Sequence, residues 1–131
     1  MGGSILDGVL SKKVMKNSDL YIIEPSKKRR LSLQDRGLKT FDNISKINIK
    51  KQGIKALLIA VKPQIVKEIA NEIKRYVTAD LPIISIVAGK KIKFFKNIFG
   101  RESSIIRVMP NAPASYGKAI TAIYPCNKTK K

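Results

Sequence analysis

Six consecutive apolar residues, Ala-Leu-Leu-Ile-Ala-Val at positions 56–61, constrain the fold more than any other feature of the sequence. A strand with one face in water alternates apolar and polar residues, whereas an unbroken apolar run is typical of a parallel strand covered on both faces. Lys62 and Pro63 end the run, and residues 64–76 then carry apolar side chains at helical spacing, namely Ile65, Val66, Ile69 and Ile73. This segment predicts a buried strand followed by an amphipathic helix.

The same order of strand and helix recurs along the rest of the chain. Apolar runs predict further strands at residues 20–23, 38–41, 82–87, 105–109 and 120–124. Apolar periodicity, caps and glycine stops predict helices at residues 3–13, 26–36 and 92–99, with a short helix and a loop at 42–52. Regular alternation of this kind predicts an α/β fold, an open and mostly parallel sheet with right-handed crossovers and helices on both faces.

Composition bounds the class of protein. A chain of 131 residues with 44% hydrophobic content is long enough for one domain with a core. It has no apolar run of about 18 residues and no signal-peptide pattern, so we expect a cytoplasmic protein without membrane contact. One cysteine and no histidine exclude an internal disulfide, a histidine base and a zinc site, and no metal ligand set is predicted.

The formal charge of +18 raises the question of nucleic acid. Clustered cations bind phosphates by releasing counterions, but the 27 lysines and arginines here lie in separated groups at the ends of apolar segments. No aromatic stacking platform or nucleic-acid-binding signature accompanies them. We therefore interpret most of them as solvated surface and expect no nucleic-acid partner, although a basic, non-catalytic α/β protein that binds nucleic acid or another polyanion is the alternative function.

The first residues, Met1, Gly2 and Gly3, lead directly into a helix. A dinucleotide site needs three glycines between a strand and a helix: one for the tight turn, one for the pyrophosphate and one for packing of the helix on the sheet. Only the last of the three can be present here. The start of the chain therefore indicates part of a dinucleotide-binding turn.

Three later segments follow predicted strands, where ligands bind in open α/β sheets. Ala60-Val61-Lys62-Pro63 is either a cofactor contact or a helix started by proline, and residues 85–89 either let a ring approach the backbone or form a tight turn. Two prolines around Asn111 either hold its amide at a defined point or make a rigid surface turn.

The end of the second predicted element contains opposing signals for the coenzyme. Glu24 lies 22 residues after Gly2, where an acid would bind a ribose 2′-hydroxyl. The hydroxyl of Ser26 and the cations that follow it at residues 27–29 would instead suit a 2′-phosphate. Helix capping by Ser26 is a third interpretation, and the sequence leaves all three open.

Four blocks in this order resemble the N-terminal coenzyme domain of the pyrroline-5-carboxylate reductases. They are Met1-Gly2-Gly3 with its helix, residues 60–64, residues 85–95, and Arg107-Val108-Met109-Pro110-Asn111-Ala112-Pro113-Ala114 continuing to residue 122. The resemblance covers residues 1–125 and implies a Rossmann-like domain there, with residues 126–131 as a disordered basic tail. It also implies a role in proline biosynthesis, the reduction of 1-pyrroline-5-carboxylate to L-proline by NADPH or NADH.

The resemblance assigns coenzyme contacts but no catalytic residue. It implies that Met1 and Gly2 flank the pyrophosphate and that Ser26 and Asn43 lie by the adenosine ribose. It further implies that the wall of the cofactor crevice is formed by Ala60, Val61, Lys62 and Pro63. The residues that it places near the nicotinamide are Ile86, Val87, Ala88 and Asn111. NADP or NAD is the expected cofactor, with NADPH preferred.

The sequence departs from the family at both ends. The first strand with its two glycines and the C-terminal helical dimerisation domain have no counterpart, so we expect a truncated chain that is inactive by itself. An imino acid substrate and oligomerisation are expected only if the helical domain is supplied. Loss of a central strand would leave two strands with unpaired backbone, at a cost of about 1–3 kcal/mol for each unmatched buried group.

Overall fold

The computed structural model describes residues 2–111 and 120–127. The helices within these residues are α1 (Gly2–Ser11), α2 (Lys27–Gln34), α3 (Val66–Ile73) and α4 (Ile92–Phe99). The strands are β1 (Tyr21–Ile23), β2 (Lys39–Phe41), β3 (Leu57–Ile59), β4 (Ile83–Ser85), β5 (Ile105–Pro110) and β6 (Thr121–Pro125). Single 3₁₀ turns cover Asn17–Asp19, Ile44–Lys46 and Lys74–Tyr76. The predicted alternation is confirmed, while the segment 42–52 forms a 3₁₀ turn and loops.

The strands form two sheets. β1 and β2 are parallel, and β3, β4 and β5 are parallel in that order, with Ile83 of β4 opposite Leu57 on one side and Ile105 on the other. β6 is antiparallel to β5 and closes the four-stranded sheet, with Tyr124 opposite Arg107. The predicted mostly parallel, Rossmann-like α/β fold is confirmed.

A gap in hydrogen bonding separates the two sheets. Among the described residues β1 pairs only with β2, and β3 pairs only with β4. In a doubly wound sheet of strand order 3-2-1-4-5-6, the strands that take these two places flank the first strand. The separation into two sheets therefore agrees with the prediction that β1 and β3 have no strand between them to pair with.

Burial of β3 differs from the expectation for a strand covered on both faces. Ile59 is 3% exposed, but Leu58 is 43% exposed although it lies in the middle of the apolar run. Since successive side chains of a strand point to opposite faces, one face of β3 is covered and the other is open. The expectation was wrong on this point because an apolar run reports composition, not the number of layers that cover it.

The core lies between the four-stranded sheet and the helices α3 and α4. Ile83, Ile105, Phe95 and Val66 are each 0% exposed. Of the apolar residues predicted for one face of α3, Val66 and Ile73 are buried in the core. Ile65 instead precedes the helix and is 44% exposed, and Ala70 is fully buried on the same helix. Helix α4 ends at Gly100 with a φ of 106°, a conformation that favours glycine.

Packing continues to the end of β6. Cys126 is 5% exposed, and its Sγ accepts a hydrogen bond from the Ile105 amide at 3.4 Å. The first residue of the predicted basic tail therefore packs in the core, and residues 128–131 lie outside the described residues. No helix in the described part of the chain is long and apolar enough to span a bilayer.

The two adjacent residues of β3 provide a test of the open face. We expect Ile59→Ala to lower the free energy of unfolding by about 2–5 kcal/mol, because it leaves a cavity in the core. Leu58→Ala should lower it by about 0.5 kcal/mol, since that side chain is already partly in water. Urea unfolding followed by circular dichroism measures both, and an equal loss for the two variants would contradict the open face.

Candidate functional site

The candidate site lies where the parallel strands end. In each parallel sheet the carboxyl ends of the strands share one edge, which is where open α/β sheets bind ligands. The predicted site residues follow these ends: Ser26 after β1, Asn43 after β2, residues 60–63 after β3, residues 86–88 after β4 and Asn111 after β5. Their roles toward a coenzyme stay predictions.

The start of α1 packs directly on the end of β3. A Cβ atom added at Gly2 would lie 2.9 Å from the Cβ of Ala60 and 3.5 Å from its carbonyl oxygen. Only glycine allows this approach without a shift, which is the role of the third glycine in a dinucleotide turn. The first N–H groups of α1 have no partner within the helix, so this end can bind an anion such as a pyrophosphate. Met1 lies outside the described residues.

The ends of β3 and β4 are fixed to each other. The Ile86 amide donates to the Ile59 carbonyl at 3.2 Å, and the Val87 amide donates to the Ser85 hydroxyl at 3.3 Å. Ile86 and Val87 are 8% and 2% exposed, whereas Ala88 is exposed. Of these three residues, Ala88 is the one that is exposed to a ligand at this edge.

The loop after β3 is open to solvent. Ala60, Lys62 and Pro63 are exposed and Val61 is half-buried. Helix α3 begins at Val66, three residues after Pro63, and the Ile65 amide donates to the Lys62 carbonyl at 3.2 Å. Both interpretations of this segment are compatible with that geometry, because a proline-led turn into α3 leaves the segment accessible to a ligand.

The end of β1 is a network around Glu24. Its Oε1 accepts a hydrogen bond from the Ser26 amide at 3.0 Å, and its Oε2 lies 3.7 Å from Nη1 of Arg29. The Ser26 hydroxyl accepts from the Arg29 amide at 3.4 Å, so Ser26 caps α2 as one interpretation predicts. The carboxylate is engaged by protein donors, while Lys27 and Lys28 are exposed beside it.

Asn43 is held by its surroundings. Its Oδ1 accepts from the Ser45 amide at 2.8 Å, and its Nδ2 donates to the Glu72 carboxylate on α3. The neighbouring Asp42 has a pKa below its usual value because the Lys46 ammonium donates to the carboxylate. Asn43 thus joins the end of β2 to α3.

Asn111 closes the connection between β5 and β6. Its Oδ1 accepts from the Ile120 amide at 3.1 Å, and its own amide donates to the Ile120 carbonyl at 3.3 Å. These bonds support the interpretation of a rigid turn. The residues between them, with Ala112, Pro113 and Ala114 of the predicted motif, lie outside the described residues.

Sequence reasoning missed two side chains that shape this edge. Arg30 Nη1 donates to the carbonyls of Glu24 and Pro25 at 2.8 and 2.6 Å and so fixes the loop after β1. Glu72 anchors Asn43 from a helix that lies 29 residues away in sequence. A cation four residues after a helix cap was a usable signal for Arg30, whereas Glu72 had none.

The chemistry available at this edge is binding and orientation. Among residues 2–111 and 120–127 there is no group of three or more acidic, cysteine or histidine residues that could hold a metal ion. Besides the carboxylates of Glu24, Asp42 and Glu72, which accept hydrogen bonds from the protein, the groups present are backbone amides, small side chains and exposed cations. Such a set suits an anionic ligand whose reactive atoms are its own.

Proteins named pyrroline-5-carboxylate reductase are similar to this chain in sequence. The Pisum sativum protein is 28% identical over 123 residues, which cover 94% of this chain and 44% of the relative. The Escherichia coli protein is 27% identical over 126 residues (95% and 46%), and pyrroline-5-carboxylate reductase 3 of Xenopus laevis is 32% identical over 114 residues (86% and 40%). The chain thus spans less than half the length of these relatives. No protein-family model matches it.

Solved structures give the same result. The NADP-bound pyrroline carboxylate reductase of Plasmodium falciparum superposes with a TM-score of 0.81 at 26% identity, covering 97% of this chain and 45% of that one. The Coxiella burnetii pyrroline-5-carboxylate reductase (19%, TM-score 0.87) and the Aquifex aeolicus prephenate dehydrogenase (16%, TM-score 0.76) share the fold over 97% and 98% of this chain and 46% and 48% of theirs. The resemblance indicated by the sequence blocks is confirmed along nearly the whole chain.

Two adjacent glycines allow a matched test of the α1–β3 contact. Gly2→Ala should lower the free energy of unfolding by about 1–3 kcal/mol, because the new methyl group meets Ala60. Gly3→Ala should be neutral or raise it by about 0.5–1 kcal/mol, since no atom lies within 4 Å of the added Cβ and alanine favours a helix. Thermal unfolding compares the two, and a loss at Gly3 equal to that at Gly2 would show that the contact is not the cause.

Proposed function

We propose that this chain is the coenzyme-binding domain of a pyrroline-5-carboxylate reductase, formed by residues 1–125, and that it binds NADP or NAD with NADPH preferred. The observation that carries the proposal is the packing of Gly2 on Ala60. It brings the start of α1, a helix of 10 residues, against the end of a parallel strand, so that unpaired amides face the crevice in which a pyrophosphate binds.

The residues at the strand ends fit the rest of a dinucleotide. Ala60 to Pro63 form the wall next to the pyrophosphate, and Met1, which lies outside the described residues, is assigned to the same contact. Ile86, Val87 and Ala88, of which Ala88 is exposed, lie toward the nicotinamide end, with Asn111 after the neighbouring strand. Ser26 and Asn43 follow β1 and β2, where the adenosine ribose would lie.

The preference for NADPH rests on the state of Glu24. Its carboxylate already accepts the Ser26 amide and faces Arg29, so it is poorly placed to accept a ribose 2′-hydroxyl as well. Lys27, Lys28 and Arg29 are exposed around Ser26, and cations suit a 2′-phosphate. The similar Plasmodium falciparum structure has NADP bound.

The activity of the whole protein is the second part of the proposal. The coenzyme supplies the hydride that would reduce 1-pyrroline-5-carboxylate to L-proline, and the protein positions it. Substrate binding and oligomerisation are proposed to depend on parts of these proteins outside the matched region, which is about 45% of the relatives' length. The proposed location is the cytoplasm.

Coenzyme binding can be tested by calorimetry and thermal melting. NADPH should bind and raise the melting temperature, because it stabilises only the folded state. Single-stranded DNA should leave the melting temperature unchanged at about 0.15 M salt, where exposed charges are screened. A rise with DNA and none with NADPH or NADH would reject the proposal in favour of a polyanion-binding protein.

Coenzyme preference has its own test. The double variant Lys27→Gln/Lys28→Gln should lower the affinity for NADPH by about tenfold, since charge-assisted bonds to a 2′-phosphate are lost. Its affinity for NADH should change by no more than about twofold. Lys67→Gln, on the exposed side of α3, is the matched control and should change neither. Equal weakening of both coenzymes would contradict the role assigned to these lysines.

A further inference from the structure

A cationic concave surface of the described chain contains none of the residues proposed to contact the coenzyme, although Lys90 follows Ala88 by two residues. Two adjoining grooves of about 460 and 430 Å³ share Ile92, Lys93 and Tyr124 and together run between α4 and β6. We refer to them as the α4–β6 groove. Their cations are Lys90, Lys91, Lys93, Lys96, Arg101 and Arg107, and no acidic residue lines either groove within the described part of the chain.

Within residues 2–111 and 120–127, the floor of the groove is a sheet face with exposed side chains. Arg107 lies opposite Tyr124 and Met109 lies opposite Ala122, so all four side chains share one face of β5 and β6. Met109 is 44% exposed and Tyr124 is 66% exposed. Sheets in α/β folds carry helices on their faces, and α4 packs on β5 while Met109 and Tyr124 stay exposed.

Arg107 points to an anionic occupant. Its Nη1 is buried and has no hydrogen-bond partner in the described structure, and its Nη2 donates to the thioether sulfur of Met109 at 3.0 Å. A thioether is a weak acceptor, so the guanidinium lacks the strong acceptor that such groups normally have when buried. A carboxylate at Nη2, whose contact with Met109 is exposed, would supply that acceptor through a charge-assisted hydrogen bond.

The shape of the groove indicates the kind of occupant. It is shallow and follows α4, whose eight residues span roughly 12 Å. One wall is the stripe of Lys93, Lys96 and Asn97 along α4, and the apolar floor continues from Met109 to Tyr124. A second helix laid beside α4 would place apolar side chains on this floor and acidic side chains next to the lysines.

We propose that the α4–β6 groove is a docking surface for an acidic amphipathic helix of a partner, which covers Met109 and Tyr124 and pairs a carboxylate with Arg107. The proposal is independent of coenzyme binding, because the groove uses none of the residues assigned to the dinucleotide. Charge complementarity selects this occupant over a second copy of the chain, whose surface carries the same excess of cations.

The test uses the full chain and a fluorescent peptide of roughly 16 residues, about four turns, with leucines on one stripe and glutamates on both flanks. Fluorescence anisotropy should show saturable binding that is lost when the glutamates are replaced by glutamines. A scrambled peptide of the same composition should bind at least about tenfold more weakly, because it cannot present the two faces together. Absence of binding, or equal binding of the scrambled peptide, would overturn the proposal.

Matched protein variants locate the surface. Lys93→Glu should lower the affinity for the peptide by about tenfold, since it places in the groove a charge like that of the peptide. Lys67→Glu, the same change on α3, should alter that affinity by no more than about twofold. Tyr124→Ser reports the apolar part and should also weaken binding. Circular dichroism checks that each variant is folded, and NADPH affinity should be unchanged in all three. An equal effect at Lys67 and Lys93 would show unspecific attraction and reject the groove.

Discussion

The packing of Gly2 on Ala60 joins the start of α1, which leads along the chain to β1 and β2, to the end of β3 in the other sheet. The two sheets are not hydrogen-bonded to each other in the described chain, so side chains and one close backbone approach must hold them in place. Two further links join the sheets: Ile44 belongs to the same buried cluster as Val66 and Ile59, and Asn43 donates to Glu72 on α3. Together these contacts keep β1 and β2 where a continuous sheet would place them.

That placement has a functional consequence. TM-scores of 0.81 and 0.87 over 97% of the chain show that both sheets sit as they do in solved pyrroline-5-carboxylate reductases. The strand ends therefore form one edge even though the backbone ladder is interrupted. Binding energy from a coenzyme that touches both sheets would add to their association, because a ligand stabilises the state to which it binds.

The order of elements could be predicted from sequence because it depends on local signals. Apolar runs, the cap at Ser26 and the stops at Gly37 and Gly100 are each encoded within a few residues. The open face at Leu58 and the anchoring of Asn43 by Glu72 could not be predicted, since both depend on which distant segments meet. The same limit applies to Glu24, whose engagement by Ser26 and Arg29 only the folded loop reveals.

The α4–β6 groove shows that the cations of this chain differ in their surroundings. Most lysines are solvated surface, as their dispersed positions indicate, but Arg107 is partly buried, and desolvation lowers its pKa. Its buried Nη1 has no acceptor in the described residues, and a buried donor without an acceptor costs free energy. The positions of individual cations are therefore more informative about binding than the net charge of the chain.

The most direct measurement of the central claim is a map of amide chemical shifts in the ¹⁵N-labelled chain during titration with NADPH. The amides of Gly2, Ala60, Lys62 and Ala88 should shift together with one dissociation constant, because one dinucleotide crosses the ends of these strands. Shifts confined to the lysines of α4, or no saturable shift at the start of α1, would contradict a coenzyme site at the Gly2–Ala60 contact.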